Sequence, residues 1–184
     1  MSAYPIRIVG DPVLRQKAAE VTDIDGKFVK LVDDMFVTMY NAPGIGLAAP
    51  QVGVAQRFFV YDLGDDNGGE PSVLINPVIT GSDGEWAYEE GCLSVPGVYF
   101  EIVRPRTVEV TGLDLNGNEV SIDASDLLGR LVQHELDHLD GVLLTDHLDE
   151  DQRKEAKRHV RELQMRKIEA TETPERRRFS LRSK

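Results

Sequence analysis

The segment from Asp123 to Gly141 constrains this chain more than any other, because it sets two histidines one turn apart on a helix. Leu127, Leu131 and Val132 fall at helical spacing, Asp123 reads as an N-cap and Gly141 as a C-terminal stop. A helix is therefore expected from about Ala124 to Leu139. His134 and His138 then share one face. Both imidazoles can reach one cation, and Glu135 can address a water on it. Zinc-like sites of this kind use three protein ligands and leave one position for water. The ion lowers the pKa of that water toward about 7, which makes it the expected nucleophile. The bland alternative is a surface helix on which two histidines fall four apart. Gly129 inside this helix costs roughly 1 kcal/mol against alanine, so it requires a packing reason.

The remaining pattern is that of one domain with both element types. Phe28, Leu31, Val32, Met35, Phe36 and Met39 form one apolar stripe, which predicts a helix over 24–40. Asn41-Ala-Pro-Gly44 stops it. Strands are expected at Gln56–Leu63 and Val73–Thr80, with an exposed loop over 64–72 between them. Pro77 points to an edge or a bulge. Thr107–Asp114 and Glu119–Ile122 flank Asn116-Gly117, a hairpin signal. A last helix is expected from Asp149, with Gln152 completing a capping-box pattern, and fraying past Ile168. The fold class is α+β: mostly antiparallel sheets packed around the central histidine-bearing helix, with an N-terminal and a C-terminal helix. Residues 1–168 are expected to form a single catalytic domain, and 169–184 a basic, disordered tail.

Charge divides the chain earlier, at the start of the last helix. Residues 1–149 hold 9 Lys/Arg against 25 Asp/Glu, whereas 150–184 hold 12 against 7. The basic segment is either a solvated helix drawn to the acidic body or a contact for RNA or a ribosome surface. No apolar run approaches the roughly 20 residues that span a membrane. The start Met1-Ser-Ala-Tyr-Pro-Ile-Arg7 lacks the pattern of a secretory signal. Cys92 is the lone cysteine, which fits a reducing, cytoplasmic setting.

The residues leave the third metal donor open. A metzincin-type extension would need a histidine at position 144, where leucine stands. Glu155 and Glu162 are downstream carboxylates, but they lie in the charged last helix. Cys92 offers a thiolate, although a lone cysteine often packs as a small apolar residue. His147 and His159 read as solvated or satisfied residues, and Trp86 and Tyr88 as core or cleft rim.

Three segments occur in order: Gly44-Ile-Gly-Leu-Ala-Ala-Pro-Gln51, Glu90-Gly-Cys-Leu-Ser94 and Gln133-His-Glu-Leu-Asp-His138. Together they resemble the three signature motifs of peptide deformylases. The match spans 44–138, and the general layout extends to about residue 168. The resemblance implies hydrolysis of the formyl group from N-formylmethionyl peptides. It implies that Cys92, His134 and His138 hold the metal, which in the family is Fe²⁺. Zn²⁺, Ni²⁺ or Co²⁺ suits the same thiolate and imidazoles. Glu135 is implied to take the water proton and pass it to the leaving amine. The Gln51 side-chain amide and the Leu93 backbone N–H are implied donors to the carbonyl oxygen. Gly44, Ile45 and Gly46 would pair with an extended substrate. Ile45 is a candidate wall of a pocket for the methionine side chain; Leu127 and Leu131, on the helix face of His134, would line that pocket or pack as core. Glu90 and Arg104 would pair to steady the Cys92 loop. Two other functions compete: a zinc endopeptidase built on the same helix, and a binding module that holds RNA through its tail.

Overall fold

The computed structural model describes residues 3–64 and 69–180, of which 167–180 as backbone only. A helix α1 spans Gly26–Asn41 and strands β1 to β3 span Gly46–Ala48, Phe58–Tyr61 and Ser72–Asp83. A hairpin follows, β4 at Trp86–Cys92 and β5 at Val95–Arg104. Then come β6 at Thr107–Leu113, β7 at Glu119–Ser125, α2 at Asp126–Leu139 and α3 at Glu150–Ser180. Five strands form an antiparallel sheet in the order β1-β2-β3-β6-β7, and β4-β5 stand apart as a two-stranded sheet. This is the α+β architecture expected, with α2 packed on β1, β6 and β7.

Local chemistry accounts for most boundaries. The Asp25 side chain accepts hydrogen bonds from the N–H groups of Lys27 and Phe28, which starts α1 one turn before its apolar stripe. Phe28, Val32, Met35 and Met39 of that stripe are buried against Phe58, Val60 and Ile75. Pro77 lies at a register shift between Ile75 and Val78, so it marks a bulge and not an edge: β3 is interior, between β2 and β6. Beside it Asn76 takes a positive φ of 51°, and its side chain closes both backbone groups of Val21. Asp149 and Gln152 cap α3 reciprocally, each side chain accepting from the other's backbone N–H.

Two boundaries differ from expectation. Asp123 is not the N-cap of α2, because Asp123 and Ala124 remain in the ladder opposite Glu109 and Val108, and Ser125 takes the cap position. The sheet's hydrogen bonds outcompete an earlier helix start. The backbone of α3 continues to Ser180, past Ile168. The expected tail over 169–184 otherwise concerns side chains and final residues that lie outside the described set.

Gly129 has its reason. A Cβ there would sit 2.9 Å from the Ala124 carbonyl oxygen and 3.0 Å from that of Arg106. Both are backbone atoms that cannot swing aside. Gly129→Ala is expected to destabilise the fold by about 1–3 kcal/mol despite alanine's better helix propensity. Thermal unfolding checks this, and an unchanged or raised Tm would show that α2 can shift off the sheet.

Candidate metal centre

Three elements converge on the centre. Cys92 is the last residue of β4, just before the Leu93-Ser94 turn of the hairpin. His134 and His138 extend from the third and fourth turns of α2. One donor atom from each of the three lies within 4.8 Å of the others. The Cys92 Sγ is 3.2 Å from His138 Nε2. No other group of three His, Cys, Asp or Glu among the described residues is so arranged. Glu155 and Glu162 are exposed on α3, outside the cluster.

The electrostatics fit a divalent cation. Burial pushes the Cys92 thiol up, but the two imidazoles more than offset this and hold it well below its usual range. Burial pushes the His134 imidazolium down, and Cys92, Glu90 and Glu135 outweigh that. Glu135 is 4% exposed, and burial raises its carboxyl above the usual range against the pull of both histidines. Its Oε2 has no hydrogen-bond partner among the described residues. Glu90 is neutralised by Arg104 and Arg130, which leaves one thiolate and two imidazoles converging beside the Glu135 carboxyl. This sulfur–nitrogen donor set suits Fe²⁺, Zn²⁺, Ni²⁺ or Co²⁺ better than Mg²⁺ or Ca²⁺.

A second layer of contacts orients the donors. Glu90 Oε2 is 3.1 Å from His134 Nδ1, which leaves Nε2 of that ring for the cluster. Arg104 grips the same carboxylate at 2.6 and 3.0 Å and reaches Asp137 at 2.8 Å. Burial raises Glu90, and His134 and Arg104 overcome it, so the carboxylate lies well below its usual range. Asp137 also pairs with His147 at 2.8 Å.

Gln51 lies in a single 3-10 turn, Ala49–Val52. Its Oε1 accepts from the Ala48 N–H at 2.8 Å, which commits its amide NH₂ to the centre. That NH₂ lies 3.2 Å from Ser94 Oγ and 3.9 Å from Cys92 Sγ. The N-terminal segment ties this turn to the cysteine turn: the Arg7 N–H donates to Gln51 O and the Val9 N–H to Ser94 O.

These groups form the floor of a cleft of about 900 Å³. Gly44, Ile45 and Gly46 line one side, with Leu93 at the end of the cysteine turn. Leu127 and Leu131 line it from α2, and Leu131 is also part of the core beneath the sheet. A Cβ on Gly46 would overlap Glu135 Oε1, and one on Gly44 would come within 2.8 Å of Leu93 Cδ1. The structure thus places the residues named for metal binding, proton transfer and substrate contact in or beside one cleft, while Glu155 and Glu162, the other candidate donors, stand apart. It adds Arg130, Asp137 and Ser94, which the sequence reading passed over. Arg130 carried one legible sign, a charge four residues before His134 inside an apolar stripe.

A family model described as polypeptide deformylase matches residues 3–154. The chain belongs to the polypeptide deformylase family. It is 48% identical over 162 residues to the peptide deformylase of Acidothermus cellulolyticus, covering 88% of each chain. With that of Thermodesulfovibrio yellowstonii it shares 50% over 149 residues, covering 80% of this chain and 90% of the relative. Among solved structures, a peptide deformylase from Legionella pneumophila superposes with a TM-score of 0.87 at 41% identity, over 91% of this chain and 98% of that one. The Ehrlichia chaffeensis peptide deformylase in complex with actinonin gives 0.84 at 41%, over 88% and 98%. The likeness of the three motifs to deformylases therefore holds, and the chain is an enzyme of that family. Family and cluster together support a divalent metal.

Proposed function

We propose that the chain hydrolyses the formyl group from N-formylmethionyl nascent polypeptides, releasing formate and a free α-amine. The observation that carries this is the convergence of Cys92, His134, Glu135 and the Gln51 amide on one cleft, with His138 buried against Cys92. Cys92, His134 and His138 would hold a divalent cation, which would supply Lewis acidity and make water easier to deprotonate near neutral pH. Glu135, buried beside the two histidines, accepts a proton from the attacking water and returns it to the leaving nitrogen as the C–N bond breaks. The Gln51 NH₂ and the Leu93 N–H donate to the carbonyl oxygen as it becomes negative. Glu90 fixes the ring of His134, and Arg104 fixes Glu90.

Substrate class follows from the walls. Ile45, Leu127 and Leu131 offer an apolar lining for a methionine side chain. Gly44 to Gly46 present backbone that an extended peptide can pair with. The catalytic unit lies within residues 1–168. Fe²⁺ is the native ion by family likeness. No helix of the described residues is long and apolar enough to cross a membrane. A cytoplasmic setting, with the basic C-terminal segment meeting the ribosome, completes the reading.

The deciding experiment compares formyl-Met-Ala-Ser with a longer peptide that carries a free N-terminal amine and so offers only internal bonds. Formate and free amine are expected in equal amounts from the first, and no cleavage of the second. Cutting of internal bonds without formate release would make the chain an endopeptidase instead.

A further inference from the structure

The two halves of the donor set stand on different bodies of the fold. The histidines belong to α2, which packs on the five-stranded sheet. Cys92 belongs to the separate β4–β5 sheet, whose β5 packs on α3. The distance between sulfur and imidazoles is therefore set by whatever locks that hairpin to α2.

We infer that Arg130 is this lock, a positioning residue for the metal donors. The inference rests on the proposed metal site and adds to it a residue outside the three signature motifs. Arg130 lies one helical turn before His134 and is 3% exposed. Its Nη1 donates to Glu90 Oε1 and, at 3.0 Å, to the carbonyl of Ile102. Its Nη2 donates to the carbonyl of Trp86. One guanidinium thus holds a strand-β4 carbonyl, a strand-β5 carbonyl and the carboxylate that orients His134. The Trp86 ring lies 4.9 Å from its carbon and the Tyr88 ring 5.8 Å, which confines the group on its open side. Glu90 shares its two oxygens by role. Oε1 meets Arg130 and Arg104, and Oε2 meets His134 and Arg104. Removing Arg130 frees Oε1 to turn and frees the hairpin from α2 at two carbonyls. Arg104 with Asp137, and Glu90 with His134, then remain as links between the bodies. Lysine cannot replace this fork, because one ammonium cannot span three acceptors in a plane.

The test uses the full chain, loaded with Co²⁺, in the wild type and in Arg130→Met and Arg130→Lys. Metal release to a chelator, the Co²⁺ absorption spectrum, and kcat and KM are measured well below the unfolding temperature. Loss of an outer contact to a metal-binding histidine typically costs about 10–100-fold in affinity or activity. Arg130→Met is expected to release metal about tenfold faster or more and to lose about as much kcat; because Arg130 also lines the cleft, the release rate and the spectrum decide, not KM. The sulfur-to-cobalt absorption should shift. Arg130→Lys should fall between the two, releasing metal about threefold faster, and decides alone should the methionine variant not fold. In a Glu90→Gln background, Arg130→Met should add less than it does in the wild type, since part of its effect passes through Glu90 while the two carbonyl contacts are its own. A purely structural arginine would lower Tm but leave the spectrum and release rate of the folded protein as in the wild type, and that outcome overturns the inference. Cys92→Ala serves as the separate control: an unchanged cobalt spectrum there would sink the metal site itself, whatever Arg130 does.

Discussion

Glu135→Gln is expected to lower kcat by about 10²–10⁴-fold while the protein keeps its metal. Glutamine matches glutamate in shape, so the tight approach of this side chain to Gly46 is preserved. Glu135 is not one of the three converging donors, so the ion stays. What disappears is a group that can both accept and return a proton. Burial has already raised this carboxyl toward the range useful for proton transfer, and a cation beside it pulls the other way. The carboxylate is weakly solvated, with Oε2 uncommitted to any protein donor among the described residues. An amide in that place cannot do this work at any pH. Steady-state turnover, read beside elemental analysis of the same sample, checks the expectation. A fully metallated variant with turnover within about tenfold of wild type would pass the proton role to another group.

The parts of this site differed in how far the sequence exposed them. Helix α2 was legible because its apolar residues recur at helical spacing, and that alone placed His134, Glu135 and His138 on one turn. The reciprocal cap at Asp149 and Gln152 was legible for the same local reason. The β4–β5 hairpin was not. Strand β4 reads Trp-Ala-Tyr-Glu-Glu-Gly-Cys, and only Glu90 and Cys92 in it are buried, so no apolar alternation announces a strand. The hairpin is held by Arg130 and Arg104 and by cross-strand pairs such as Glu90 with Phe100, none of which is visible as a period. The third donor was illegible from spacing altogether, because Cys92 and His138 lie 46 residues apart. Only the likeness of three short motifs to a known family selected it. Asp123 failed as a cap for a tertiary reason: its backbone is needed by the ladder opposite Glu109.

Cys92→Ala should abolish stable metal binding and turnover together. Cys92 supplies the one soft, anionic donor, buried at 8% exposure and held as a thiolate by the imidazoles around it. Four-ligand zinc sites in small peptides bind with about 10–16 kcal/mol in all, so one thiolate is worth roughly 3–4 kcal/mol, or about 10²–10³ in affinity. The loss here is compounded by charge. Without the thiolate, His134 loses the partner that does most to raise it against its burial. Two neutral imidazoles then face the ion with a single neighbouring carboxylate that is built to move protons. Cys92→Asp restores the negative charge with a harder donor, so it should regain part of the affinity for Zn²⁺ and less for a cation that prefers sulfur. Metal content after dialysis against a weak chelator separates the three proteins, and formate release follows the same order. The contrast with Glu135→Gln is the informative part, since one variant loses the ion and the other only the chemistry. A Cys92→Ala protein that stays fully metallated would mean that the histidines bind with some other donor, and the geometry of the cleft floor would need a different chemistry.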